Sequence, residues 1–147
     1  MLVVVSNDDL ERTGSELVTY AARLVRAIRR ELDQPAGLRV LSILDDQGPL
    51  GITALAEADR CSQPTMSGTV SGLVERGWVS KVPHPDDARS TLVELTVAGR
   101  RTLAAFRRDA GATVAARLTT HARHTPDDVA RAVSVLRDVL DPSEGNL

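Results

Sequence analysis

Apolar residues recur with the period of an α-helix along most of this chain. Residues 6–31 carry the longest such stripe. It is formed by Leu10, Leu17, Tyr20, Ala21, Leu24, Val25 and Ile28, with arginines over much of the remaining surface. A long helix of this kind cannot bury its stripe alone. We therefore expect it to pack on the rest of the subunit or on a second copy.

Two shorter helices follow in the pattern. The first is predicted over residues 35–46, with a proline near its start and a Gln-Gly-Pro break after it. The second is predicted over residues 52–59, with Gly51 as its N-cap. Between them, Leu50 is expected to add a short third strand to a small sheet. Arg60 and Cys61 then form the turn into the next helix.

The next predicted helix, residues 62–76, has the strongest boundary signals. Ser62 is a suitable N-cap, and Pro64 falls in the first turn, where a missing N–H costs little. Gly77 marks its end. One face is apolar, formed by Met66, Val70, Leu73 and Val74.

The opposite face of this helix is unusual because its residues are small or hydrogen-bonding. They are Gln63, Thr65, Ser67, Gly68, Thr69, Ser71 and Gly72. Each glycine costs roughly 1 kcal/mol relative to alanine inside a helix. Short side chains, hydroxyls and amides suit a face that lies against phosphates and base edges. The alternative is a weak helix whose polar face has no function.

A hairpin is predicted after the glycine, with strands over residues 78–82 and 91–95 and a charged turn between them. Arg89 at its tip is placed to enter a DNA minor groove, where negative potential is focused. Asp87 is close enough to hold it, and Lys81, the only lysine of the chain, lies on the first strand. The alternative is a solvated turn with a local ion pair.

Two further helices complete the pattern. A long one runs from the N-cap Thr96 to about Thr120, and a last one begins at Thr125-Pro126-Asp127-Asp128. Its apolar residues Val129, Val133, Leu136 and Leu140 follow at spacings of four, three and four, which suits pairing with another helix. The terminal helices thus carry more apolar surface than one small domain needs, which predicts a homodimer.

Residues 55–79 and 86–100 resemble the MarR family of winged-helix transcription regulators. The more specific part is Asp87-x-Arg89 followed by a strand and Leu95-Thr96-x-x-Gly99. The resemblance implies a mainly α fold with a small β-wing, in which a winged helix-turn-helix joins N- and C-terminal dimerisation helices. The predicted parts are residues 1–34 (dimerisation), 35–100 (DNA binding) and 101–147 (dimerisation).

The predicted function is a sequence-specific regulator of transcription, more specifically a homodimeric repressor on an inverted-repeat operator in double-stranded DNA. We expect the DNA major groove to meet Ser62, Gln63, Pro64, Thr65, Ser67 and Gly68. Thr69, Ser71 and Lys81 are expected at phosphates, and Arg89 in the minor groove, positioned by Asp87.

The resemblance also implies a small-molecule effector, often phenolic or anionic, bound between the dimerisation helices and the DNA-binding part. The chain offers only three aromatic residues to such a molecule, Tyr20, Trp78 and Phe106.

Charge and composition agree with this interpretation. The net charge is −2, but residues 60–109 contain eight basic and five acidic residues. Positive charge is therefore concentrated around the predicted helix and wing. No apolar run approaches the length of a membrane span, the first residues do not suit a signal peptide, and one cysteine allows no internal disulfide. We expect a cytoplasmic protein without a cofactor.

Other interpretations remain open at this point. Cys61 precedes a helix, where a thiolate would be stabilised, although packing as a small apolar residue explains it as well. His121, His124 and Asp127 have a spacing that could hold a metal. A winged helix can also bind proteins instead of DNA. No motif supports an enzyme.

Overall fold

The computed structural model describes residues 6–141, and it confirms the predicted fold class of helices with a small wing. Predictions for residues 1–5 and 142–147 fall outside this range. The elements in chain order are α1 Asn7–Glu31, α2 Leu38–Gln47, α3 Ile52–Asp59, α4 Gln63–Glu75, β1 Val79–Pro83, β2 Thr91–Leu95, α5 Val97–His121 and α6 Pro126–Leu140.

The described residues fall into two compact units, one up to Ala110 and one from Gly111 onward. The first unit holds the core, which is aliphatic and is drawn from α2, α3, α4, both strands and the first turns of α5. Its buried side chains include Leu41, Leu55, Met66 and Val93. The second unit contains the end of α5 and all of α6, and no residue of α6 is buried. The functional division into three parts stays a prediction.

Helix α2 starts later than predicted, at Leu38 and not near Pro35. The reason is Gly37, whose φ of +86° is left-handed and cannot belong to a right-handed helix. The carbonyl of Gly37 instead accepts the first helical N–H bonds, from Val40 and Leu41.

The two strands form an antiparallel hairpin in which Val79 pairs with Leu95 and Lys81 with Val93. Strand β1 is shifted by one residue from the predicted 78–82 range. Leu50 does not form a third strand. It makes a single antiparallel bridge to Val93, with N–H···O distances of 3.1 and 2.8 Å.

Helix α5 is fixed to the start of the wing. Thr96 caps it as predicted, because its Oγ1 accepts the N–H of Gly99 at 3.0 Å. The same hydroxyl donates to the carbonyl of Gly77 at 2.6 Å, and the N–H of Thr96 donates to the carbonyl of Trp78 at 3.1 Å. The backbone that ends α4 is thus tied to the start of α5.

Candidate nucleic-acid interface

Helix α4 begins where the sequence predicts. The Oγ of Ser62 accepts the N–H of Thr65 at 3.3 Å and lies 2.8 Å from the Oγ1 of Thr65. Pro64 lies in the first turn, where its missing N–H leaves no hydrogen bond unmade. The N-terminal turn is therefore capped by its own side chains.

The end of α4 is closed by backbone bonds around Gly77, whose φ is +72°. Its N–H donates to the carbonyl of Val74 at 2.9 Å, and the N–H of Trp78 donates to that of Leu73 at 3.0 Å. These two bonds form a Schellman motif, for which glycine is the favoured residue. The motif occupies the N–H of Trp78, which explains why β1 starts one residue later than predicted.

The apolar face of α4 is smaller than predicted. Met66, Val70 and Leu73 are buried, but 39% of Val74 is exposed. The spacing places Val74 on the edge of the apolar face, where the core of this chain does not reach. Three buried side chains therefore pack α4 against the hydrophobic core.

The predicted DNA-binding face of α4 points away from this core. Its members Ser62, Gln63, Pro64, Thr65, Ser67, Gly68 and Ser71 are exposed, and Thr69 is half-buried. The hydroxyls of Thr69 and Ser71 donate to the carbonyls of Thr65 and Ser67 at 3.1 and 2.9 Å. Each would have to rotate before it could donate to a phosphate.

Nothing in the described part of the chain requires the glycines on this face. A Cβ added to Gly68 or Gly72 would have no described atom within 4 Å apart from the adjoining residues and the backbone of α4 itself. Both positions lie in regular helix, where alanine would be more stable by roughly 1 kcal/mol. The space over Gly68 is available to a molecule outside the subunit.

The structure also shows a contact that the sequence analysis did not identify. The Nε2 of Gln63 donates to the Oγ1 of Thr53 at 2.6 Å, which joins the start of α4 to the first turn of α3. The two residues are ten positions apart, so no local pattern indicates the pair. The only sequence signal is a threonine in the first turn of α3.

At the wing tip, Asp87 holds the backbone of Arg89. Its carboxylate accepts the N–H of Arg89 at 3.0 Å and the hydroxyl of Ser90 at 2.8 Å. These two bonds lower the pKa of Asp87, to which the nearby His84 adds a smaller effect. Lys81 is exposed on β1.

The structure gives no support to the alternative interpretations of a metal site or a reactive cysteine. Within residues 6–141, no three His, Cys, Asp or Glu side chains converge as metal ligands. Cys61 is half-buried and packs against the core. Among the helices described, none combines the length and apolar character needed to cross a membrane.

Comparison with known proteins agrees with this geometry. Residues 35–91 match the MarR family. An HTH-type transcriptional regulator of Mycobacterium tuberculosis is 31% identical over 140 residues, covering 92% of this chain and 98% of that protein. Apo MarR of Escherichia coli is 26% identical, with a TM-score of 0.63 over 89% of this chain and 96% of that one. A mutant of E. coli MarR complexed with operator DNA is 26% identical, with a TM-score of 0.55 over 89% and 93% of the two chains.

The capped helix, its outward polar face and the adjoining wing therefore occur in a chain whose relatives are transcription regulators over nearly its whole length. This chain belongs to the MarR family of DNA-binding transcription regulators.

Proposed function

We propose that this protein is a homodimeric repressor that binds an inverted-repeat operator. The observation that carries the proposal is the outward face of α4, where small polar side chains surround a glycine that the fold itself does not require. Such a face allows close approach to base edges in a major groove. Contact with chromosomal DNA would place the protein in the cytoplasm.

The proposed contacts divide between bases and backbone. Ser62, Gln63, Pro64, Thr65, Ser67 and Gly68 lie at or near the N-terminal half of α4, the part of a recognition helix that reaches base edges. Thr69, Ser71 and Lys81 lie further along the helix or on β1, and we assign them to phosphates. Arg89 enters the minor groove from the wing tip, with Asp87 fixing its backbone.

The dimer is supported by apolar surface on the terminal helices. In α1, 63% of Tyr20 and 70% of Val18 are exposed, and in α6, 66% of Val139 and 81% of Leu140. Only Ile28 of α1 is buried. Apolar side chains exposed along a helix are typical of a surface that another helix covers. Two-fold pairing would cover them and set two recognition helices about 10 bp apart on DNA.

The effector is assigned to a groove of about 330 Å³ within the first unit. Leu32, Pro35, Leu38, Thr102, Ala105 and Phe106 line it together with two carboxylates, Asp33 and Asp109. No lysine or arginine lines the groove. The negative charges of the two carboxylates disfavour the anionic ligands that the family resemblance implies. They favour an apolar molecule that carries a positive charge.

The test is binding to the DNA just upstream of the protein's own gene, measured by fluorescence anisotropy at several salt concentrations. We expect binding that is selective against a scrambled duplex and that weakens steeply with salt. Weak binding, equal for both duplexes, followed by failure to enrich any motif from a random library, would favour a protein-interaction module.

Oligomeric state is tested separately by sedimentation velocity. The wild-type chain should sediment as a dimer. Leu136→Asp should shift it toward monomer, because a charge would then be buried in the proposed helical seam. A monomeric wild-type chain that still selects a single half-site would contradict the dimer and leave DNA reading intact.

A further inference from the structure

We propose that Thr53 is a specificity-determining residue that orients the Gln63 side chain for reading adenine. The inference rests on the proposed function of α4 as a recognition helix. Thr53 lies on α3 and is not itself one of the residues assigned to a base or a phosphate.

The argument starts from the hydrogen-bonding groups of Gln63. A glutamine amide has two N–H donors and one carbonyl acceptor with two lone pairs. One donor is occupied by the Oγ1 of Thr53 at 2.6 Å. The other N–H and the Oε1 are left for a partner outside the subunit.

This pair of groups matches one base in the major groove. Adenine offers N7 as an acceptor and its N6 amino group as a donor, and glutamine reads both with one N–H and one carbonyl. Guanine offers two acceptors, O6 and N7, and would require two N–H groups. The observed bond, which places Nε2 on Thr53, leaves only one N–H for the DNA. It also fixes a flexible side chain before DNA arrives, which lowers the entropic cost of binding.

The packing of α3 positions the backbone of Thr53. It lies in the first turn of α3, directly before the buried segment that contains Leu55 and Ala56. Helix α3 is also joined to α2 by an ion pair in which the Nε of Arg39 lies 2.5 Å from the Oδ1 of Asp59. Gln63 is the first residue of α4, whose capped N-terminal turn fixes its backbone.

The experiment is motif selection from a random duplex library with the full-length protein. The proteins compared are wild type, Thr53→Val, Thr53→Ser and Gln63→Ala, with Thr120→Val as a control. Valine has the shape of threonine without the hydroxyl, and serine keeps the hydroxyl. Thr120 is an exposed threonine of α5 whose hydroxyl donates only to the carbonyl of Ala116, at 2.9 Å. Relative affinities for single-base operator variants are then measured by anisotropy.

We expect the wild type to prefer adenine at one position of each half-site by at least about fivefold, the lower end of what a bidentate pair supplies. Gln63→Ala and Thr53→Val should both remove that preference at the same position, whereas Thr53→Ser and Thr120→Val should keep it. Adding Thr53→Val to Gln63→Ala should change nothing further, because the two residues act through one interaction.

Two results would overturn the inference while leaving the regulator intact. One is a Thr53→Val protein that keeps the wild-type motif or loses affinity equally for all bases. The other is a Gln63-dependent preference for guanine. If the wild type enriches no motif at all, DNA reading by α4 itself is wrong, and the two failures are thereby distinguished.

Discussion

Asp87 binds the backbone of Arg89 and not its side chain, because its carboxylate accepts a hydrogen bond from the Arg89 N–H at 3.0 Å. Within residues 6–141, no hydrogen bond or ion pair holds the Arg89 guanidinium. The wing therefore fixes where the arginine starts and leaves its charged end available for DNA. An arginine that reads DNA contributes about 1–3 kcal/mol. We expect Arg89→Ala to weaken operator binding by roughly 5- to 150-fold in an anisotropy titration.

The matched control for this change is Arg131→Ala, which removes one exposed arginine from α6, outside the winged part. It should leave operator affinity close to that of the wild type. Both variants should retain the wild-type circular dichroism spectrum and sedimentation coefficient. Equal affinities for the two variants would show that Arg89 does not touch DNA.

The hydrogen bonds that Asp87 accepts from Arg89 and Ser90 should depend on pH in a defined way. The hydrogen bonds from Arg89 and Ser90 lower the pKa of Asp87 in the folded protein. Its contribution to the order of the wing is therefore complete above the ordinary aspartate pKa of about 3.9 and is lost as the pH falls through the lower, folded value. In a pH titration followed by NMR, the Arg89 amide should show a step with its midpoint below about 3.9. Asp87→Asn should abolish this step. A midpoint at or above the ordinary aspartate pKa would contradict the stabilisation of the Asp87 carboxylate by these hydrogen bonds.

A substitution at Gly68 should affect the stability of the fold and the affinity for the operator in opposite directions. Gly68→Ala should stabilise the fold by about 0.5–1 kcal/mol, because alanine favours helix and the new methyl has no described atom within 4 Å beyond the adjoining residues and the backbone of α4. The same methyl would stand between α4 and a base edge, so operator affinity should fall at least several-fold. Thermal unfolding and anisotropy on one preparation measure both effects.

The control is Gly111→Ala in α5, where an added Cβ also has no neighbour within 4 Å. It should stabilise the protein to a similar extent without loss of operator affinity. Should Gly68→Ala bind the operator as tightly as the wild type does, the close approach of α4 to DNA would be refuted.

Gly99 has the opposite environment, because a Cβ there would lie 2.0 Å from the carbonyl oxygen of Trp78. Helix α5 and the start of the wing would have to separate to admit it. We expect Gly99→Ala to destabilise the protein by at least about 2 kcal/mol in urea unfolding, in the upper range of overpacking effects. Ala98→Gly, at the exposed neighbouring position, should cost about 1 kcal/mol or less. A smaller loss for Gly99→Ala than for Ala98→Gly would mean that this approach is not tight.

Local signals predicted the starts of α4, α5 and α6, because caps depend on a few neighbouring residues. Ser62, Thr96 and Thr125 all cap as expected, and Thr125 forms a reciprocal box with Asp128. The exposure of Val74 was not predictable, since helical spacing shows that a face is apolar but not how far the core extends across it. The bond between Thr53 and Gln63 depends on how α3 packs against α4, which no periodicity in the sequence encodes.

The groove proposed for the effector permits a test with ligands of opposite charge. Asp33 and Asp109 line it, and within the described residues neither carboxylate forms an ion pair. A small aromatic cation should therefore bind more tightly than an anion of the same size. We expect benzylammonium to raise the melting temperature and reduce operator affinity, and benzoate to do neither. Asp109→Asn should weaken benzylammonium binding about fivefold or more, by removing one charge at roughly 4 Å in a partly screened site.

The control for that change is Asp138→Asn, which removes an exposed carboxylate from α6 and should leave benzylammonium binding unchanged. Tighter binding of benzoate than of benzylammonium by the wild type would contradict the charge argument, because two carboxylates in one small groove repel an anion wherever its ring lies. Benzylammonium binding that is insensitive to both Asp33→Asn and Asp109→Asn would place the ligand outside this groove. Loss of binding in the Asp33→Asn, Asp109→Asn double variant, with operator affinity intact, would show that the carboxylates act on the effector and not on the fold.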